Sequence, residues 1–172
     1  MNHTLLFSTS SKTGDKVLKF TLTKYCYTCP KPLGYLEIDL DILGKVRNAI
    51  FVNKKQKEYK DLPTAITKAL DDYFFEKKDL PNSLISKEIL GTDFQKSIWL
   101  VISTVTFGVT ITYTDIAEQV GKPYAAHASG TACGKNPIAL FIPCHRVVRK
   151  KDEDYGYSWG VKRKKWLLNF EK

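Results

Sequence analysis

Ile142-Pro143-Cys144-His145-Arg146-Val147-Val148 places a thiol, an imidazole and a guanidinium in succession inside an apolar run. The apolar flanks predict a segment at least half buried. A thiolate is the strongest soft nucleophile a side chain offers, and a neighbouring imidazolium or guanidinium favours it over the neutral thiol. Pro143 fixes φ and donates no backbone hydrogen bond, which stiffens the approach to Cys144. Consecutive side chains of an extended strand point to opposite faces, so Cys144 and His145 meet only through a local bend or a bridging water. Taken alone, the segment leaves two accounts open: an activated nucleophile, or an inert buried cysteine packing as a small hydrophobe.

The chain around it has 172 residues, enough to bury a core as one domain or as two small ones. Hydrophobic residues at 43% and aromatics at 12% exclude a disordered protein. Lys+Arg 27 against Asp+Glu 18 gives a net charge of +9, which favours a polyanionic partner, nucleic acid before an anionic membrane. No apolar run approaches the length of a membrane span, and the first residues lack the basic-then-apolar pattern of a signal peptide. These features predict a cytoplasmic location, no membrane partner, and cysteines in the reduced state.

The N-terminal part reads as sheet. Leu18, Phe20 and Leu22 alternate with polar residues, as do Leu36, Ile38 and Leu40 with Glu37, Asp39 and Asp41, predicting strands with one wet face. Val46 to Val52 is a third strand and Leu5 to Phe7 a weaker one, with turns at Gly14, Gly34 and Gly44. Cys26-Tyr27-Thr28-Cys29 is a lone pair at half-zinc-site spacing. His3 is the nearest further ligand, so free thiols or a local disulfide rank ahead of metal. Pro63 opens a helix whose core stripe is Ile66, Ala69, Leu70, Tyr73 and Phe74, and the aperiodic stretch from Lys77 to Ile89 reads as a linker.

Beyond the linker the pattern turns helical. Thr92 and Gln95 fit a capping box ahead of Phe94, Ile98, Val101 and Val105. A short helix begins at Thr112, Gly121 stops it, and Pro123 starts the next, giving a helix-turn-helix candidate. The second helix, Pro123 to Cys133, has almost only small side chains and lacks the Arg, Gln or Asn that read a major groove. It is either a packing face or a surface made for close approach to a narrow groove. Gly134-Lys135-Asn136-Pro137 is a turn. Tyr155 to Gly160 is either a ring-lined pocket wall or a lid over the core, and Lys162 to Lys165 reads as a solvated face of the last helix, which turns Trp166, Leu167 and Phe170 inward.

From Gly91 to the end the chain resembles the O6-alkylguanine-DNA alkyltransferases. The resemblance rests on Gly91-Thr92-Asp93-Phe94-Gln95, Phe107-Gly108, Thr112-Tyr113, Gly134-Lys135-Asn136-Pro137, Pro143-Cys144-His145-Arg146-Val147, Tyr157-Ser158 and Trp166-Leu167-Leu168. It implies an α+β chain: an N-terminal strand-rich domain with a helix over residues 1–88, then a helix-dominated domain over residues 89–172. The second domain would carry the helix-turn-helix and the acceptor cysteine. It implies direct reversal of DNA damage, chiefly O6-methylguanine with O4-methylthymine as a second candidate, by irreversible single-turnover transfer to Cys144. The rival readings are a non-catalytic helix-turn-helix protein, a damage-binding relative and a Cys-His hydrolase.

Roles follow residue by residue from the same resemblance. His145 would deprotonate Cys144 through a water, Glu171 would hold His145, and Asn136 would brace the turn. Tyr113 would crowd the phosphate, flip the nucleotide and protonate the departing guanine. The carbonyls of Cys144 and Val147, the Ser158 amide and the Tyr157 ring would hold the base, with Trp159 beside the pocket. Tyr113, Ala125, Ala126, His127 and Gly130 would meet double-stranded DNA through its minor groove with little sequence preference. No metal or cofactor is implied, and the protein would act as a monomer. His127 stands where the family generally has an Arg that enters the base stack, and Trp159 where a Gly is common.

Overall fold

The computed structural model describes residues 24–55, 59–149 and 156–172. The expected strands at Leu5–Phe7 and Leu18–Leu22, the Gly14 turn, His3, Tyr155 and most of the charged loop before it lie outside the described residues. Three antiparallel strands come first, in the order β1 (Lys24–Thr28), β2 (Tyr35–Leu40) and β3 (Val46–Val52). β1 was hidden under the Cys26–Cys29 spacing. Both cysteines are free, Cys26 within the strand and Cys29 buried just beyond it. Among the described residues no group of three or more His, Cys, Asp or Glu is placed to hold a metal.

Alternation in β2 puts Leu36 and Ile38 in the core, but the opposite face is drier than expected. Glu37 is only 5% exposed, taking the Tyr59 hydroxyl and pairing with Lys24 at 3.8 Å. Helix α1 (Thr64–Glu76) buries Ile66, Ala69, Leu70, Tyr73 and Phe74, the stripe read from its spacing.

The second half is helical, as the α+β reading expects. Helix α2 (Asp93–Ser103) starts with the full Thr92–Gln95 capping box. It buries Ile98, Trp99 and Ile102, so the buried stripe is rotated from the expected Phe94–Ile98–Val101–Val105 face to accommodate the Trp99 indole, which donates to the Ala132 carbonyl at 2.9 Å. A second capping box, Thr112 with Asp115, opens α3 (Tyr113–Gln119). Gly121 takes φ +69° in the turn, a conformation L side chains resist. Helix α4 (Ala126–Gly134) starts later than expected, because Pro123 and Tyr124 form a turn ahead of it. The last helix, α5 (Val161–Phe170), ends against Glu171.

The halves are joined by backbone. Ala49 of β3 exchanges hydrogen bonds with the turn after α4, its amide donating to the Pro137 carbonyl at 2.9 Å and its carbonyl accepting from Ala139 at 2.8 Å. A two-residue parallel pair joins β4 (Ile111–Thr112) to β5 (Val147–Val148), with Ile111 opposite Val147 and Thr112 opposite Val148. That pair sets the first residue of α3, Tyr113, beside the strand that leaves Cys144. One buried apolar cluster runs from Leu33 and Leu36 through Tyr73 and Ile98 to Cys144 and Leu167.

Candidate active site

Residues Cys144–Arg146 form a single 3-10 turn, the local bend that the cysteine–histidine succession required. It is entered through a tight backbone: Leu140 takes φ +70° and the Ile142 amide donates to the Ile138 carbonyl at 3.1 Å. Asn136 staples the arrangement. Its amide Nδ2 donates to the Ile142 carbonyl at 2.8 Å and to Cys144 Sγ at 3.1 Å, while its Oδ1 accepts from the Ile138 amide at 2.9 Å.

Cys144 is 4% exposed and faces a cavity of about 610 Å³. Burial pushes its thiol up, but the neighbouring Cys133 thiol, the Asn136 hydrogen bond and the charge of Lys164 outweigh that and hold it below its ordinary value. The balance makes Cys144 a more acidic thiol than an ordinary cysteine.

Behind it His145 is fully buried, its Nε2 2.8 Å from Glu171 Oε1. Glu171 also accepts from Arg146 Nε at 2.9 Å, Arg146 Nη2 at 3.0 Å and the Tyr73 hydroxyl at 2.5 Å. Burial alone would raise the Glu171 carboxyl, yet these partners bring it down to about 2, so it is ionised at neutral pH. A carboxylate there makes His145 Nε2 the donor and leaves Nδ1 as the acceptor. Nδ1 is buried and without a hydrogen-bond partner among the described residues. Burial lowers the imidazole and outweighs the pull of Glu171, whose charge Arg146 already balances. His145 is thus a neutral base with one open lone pair.

Gly108 makes room for this cage. It has φ +75°, and a Cβ there would stand 2.8 Å from the Glu171 carbonyl. Arg146 reaches further still, to Asp79 at 2.8 Å and to the Val105 carbonyl.

Tyr113, Ala126, His127, Gly130, Tyr157 and Ser158 line the cavity. Ala125 is the cap residue just ahead of α4, outside the lining. Burial, then the nearby cysteines, push the Tyr113 phenol up to about 12, so it is a protonated donor. Val147 is buried and its carbonyl accepts from Lys164 Nζ at 2.7 Å. That lysine corrects the reading of the 162–165 run as a solvated face: Lys164 is fully buried, because a carbonyl of the active-site strand satisfies it. Arg163 likewise binds inward, to the Leu33 and Trp159 carbonyls.

Trp159 also departs from expectation. Its indole is absent from the cavity lining and packs edge-on against Phe51 at 6.5 Å and Tyr157 at 5.2 Å, where apolar surface is available. Sequence reasoning missed Cys133, Lys164, the Arg146 clamp and the Tyr73 hydroxyl. Tyr73 and Lys164 were each visible, but as a core position and a surface charge.

A family model described as the 6-O-methylguanine DNA methyltransferase DNA-binding domain matches residues 93–172. The methylated-DNA–protein-cysteine methyltransferase of Saccharomyces cerevisiae is 40% identical, over 77% of this chain and 76% of that one. A probable methylated-DNA–protein-cysteine methyltransferase of Acanthamoeba polyphaga mimivirus is 41% identical, over 77% and 85%. Among solved structures, Mycobacterium tuberculosis O6-methylguanine methyltransferase superposes with a TM-score of 0.73 at 29% identity, over 87% of this chain and 92% of that one. The same organism's protein in complex with DNA gives 0.74 at 30% identity, with the same coverage. The chain belongs to the methylated-DNA–protein-cysteine methyltransferase family.

Proposed function

We propose that this chain repairs DNA by direct reversal, taking the alkyl group of O6-alkylguanine, chiefly O6-methylguanine, onto Cys144. O4-methylthymine is the second candidate substrate. The observation that carries this reading is the buried Cys144 sulfur, held by Asn136 at 3.1 Å on a cavity of about 610 Å³, with the neutral base His145 on its ionised partner Glu171 behind it. An alkylated O6 inside a duplex is out of reach, so the nucleotide must leave the stack, and the cavity is of the size that holds a small ligand.

In the step itself the Cys144 sulfur attacks the alkyl carbon, the S–C bond forms, and the C–O6 bond breaks with its electron pair returning to the purine. The thiol proton passes to His145 Nδ1 through a water, and Tyr113 donates to the departing guanine. In the balance the proton lost by the thiol ends on the guanine. Ser158, Tyr157 and the carbonyls of Cys144 and Val147 hold the base. The thioether product has no acidic proton and no route back, so each chain acts once, without cofactor or metal.

Duplex DNA is met by α4, where Ala125, Ala126 and Gly130 allow close approach in the minor groove and His127 faces the vacated stack. The binding is weakly sequence-dependent, since α4 lacks the Arg, Gln or Asn that usually read base edges. The protein is read as a monomer, and its free cysteines suit the reducing cytoplasm. Incubation with a duplex carrying O6-methylguanine is expected to restore guanine in proportion to protein and then stop at about one lesion per chain. Sustained turnover would refute the reading.

The place of Trp159 carries a second expectation. Trp159→Gly removes packing against Phe51 and Tyr157 without widening the cavity. It should lower stability by about 2 kcal/mol in urea unfolding, with inactivation by O6-benzylguanine little changed. Much faster inactivation at unchanged stability would show instead that the indole narrows the pocket.

A further inference from the structure

The Tyr157 hydroxyl is a buried polar group that the mechanism above does not use. Tyr157 lines the cavity, where its ring is read as holding the base, but the oxygen at the far end of that ring is buried and has no hydrogen-bond partner among the described residues. A base in the cavity therefore meets the ring and not the hydroxyl. The ring is fixed in this attitude. Trp159 packs edge-on against it at 5.2 Å, the Gly160 amide donates to the Tyr157 carbonyl at 2.9 Å, and the Ser158 hydroxyl ties the next residue to the Gly134 carbonyl at 2.7 Å. A hydroxyl shut away without a partner is costly, so the group it serves lies inside the site.

Two other side-chain atoms share that condition among the described residues, Ser129 Oγ and His145 Nδ1. Ser129 lies in α4, outside the cavity lining. His145 packs against Tyr157 itself: the two rings meet edge to face at 84°, 6.5 Å between centres. The Cys144 sulfur is held by Asn136 and the imidazole by Glu171, and no hydrogen bond joins Cys144 to His145 among the described residues. The thiol proton therefore crosses to Nδ1 on a water. A buried water makes about three hydrogen bonds. The sulfur and Nδ1 supply two, and the Tyr157 hydroxyl is the third. The titratable and charged groups that act on the phenol are Cys144 and His145 from the active-site turn, Tyr73 from α1, Cys133 from α4 and Arg163 from α5. Burial, then Cys144, push the phenol well above its ordinary value, so it keeps its proton and donates.

We propose that Tyr157 is a positioning residue for the proton relay: its hydroxyl donates to the water between the Cys144 sulfur and His145 Nδ1. That water accepts two hydrogen bonds, one from the thiol and one from the phenol, which turns its own hydrogens toward the imidazole lone pair. When the relay runs, the S–H bond breaks and the sulfur keeps the electron pair. The thiol proton passes to the water, and a proton of the water passes to Nδ1. The water is restored, and the phenol keeps its proton throughout. A hydroxyl that merely rode on a packing ring would leave these steps untouched and would be replaceable by a hydrogen.

The inference rests on the alkyl-transfer reading, and two readouts keep them apart. Single-turnover methyl transfer from a saturating O6-methylguanine duplex reads both. Alkylation of Cys144 by iodoacetamide, located by peptide mapping, reads only how readily the thiol yields its proton. Both rates are followed from neutral to alkaline pH in the native chain and in Tyr157→Phe, which keeps the ring and removes the hydroxyl alone. The variant is expected to be about tenfold slower in both reactions near neutrality. The deficit should close at alkaline pH, where solvent has already taken the thiol proton and no relay is needed. Duplex binding should be unchanged, because the ring that meets the base is retained. Equal rates in the two proteins at neutral pH, a deficit that persists at alkaline pH, or one confined to methyl transfer would overturn the proposal. A native chain that reacts with iodoacetamide but transfers no methyl would overturn the alkyl-transfer reading instead, and the iodoacetamide profiles would still decide the role of Tyr157.

Discussion

Cys144→Ser is expected to abolish methyl transfer while leaving duplex binding essentially unchanged. The serine hydroxyl fits the volume and can still take the Asn136 hydrogen bond, but it does not ionise near neutral pH and is a poor nucleophile toward saturated carbon. On the proposed reading DNA is met by α4, whose fold does not depend on the charge of residue 144. Binding by the variant should weaken steeply with added salt, as befits a chain of net charge +9. Gel-shift and transfer assays on the same preparation check both halves. Residual transfer at a native rate would remove Cys144 from the chemistry.

The second large effect belongs to Glu171→Gln. Tyr73, His145 and Arg146 all converge on this one carboxylate, which is 4% exposed. Neutralising it leaves the buried guanidinium with Asp79 as its one carboxylate partner among the described residues. The expected loss is about 3 kcal/mol at neutral pH, read by urea unfolding. The pH dependence follows from a carboxyl held at about 2 in the fold against an ordinary 4.5. In the unfolded chain it binds its proton first, so the native protein enjoys the full contribution above pH 4.5 and loses it as pH falls toward about 2. The gap between native and variant should therefore be widest at neutral pH and close on acidification. A gap that stays constant into acid would mean that the charge of Glu171 contributes nothing. Transfer should slow as well, because the amide no longer fixes which nitrogen of His145 is free to accept.

What could be read from the sequence divides along a physical line. Features set by near neighbours were legible: the Thr92–Gln95 capping box, the α1 stripe ending in Tyr73 and Phe74, and the bend needed between Cys144 and His145. Features set by distant partners were not. Lys164 belongs to a charge run that looks solvated, and the Val147 carbonyl, 17 residues earlier in the chain, helps make its burial tolerable. Trp159 was placed at the pocket by its neighbour Ser158, but Phe51, far away in the chain, decides where the indole lies. Glu171 came to attention only through family resemblance, since no spacing rule connects the end of α5 with a turn 25 residues earlier. Cys133 was one small residue in a helix of small residues until the fold set it on the lining of the same cavity as Cys144. Local periodicity therefore reported the elements, and the resemblance reported the chemistry. The cage around Glu171 and the Asn136 bond to the Cys144 sulfur needed the tertiary structure.

The most direct measurement is to incubate the native chain with a duplex bearing isotopically labelled O6-methylguanine, digest the protein, and locate the label by tandem mass spectrometry. The account predicts one labelled methyl group per chain, carried by the Cys144 sulfur, with unmodified guanine recovered in the DNA. Label on Cys133 or any other residue, or a restored duplex beside an unlabelled protein, would contradict it.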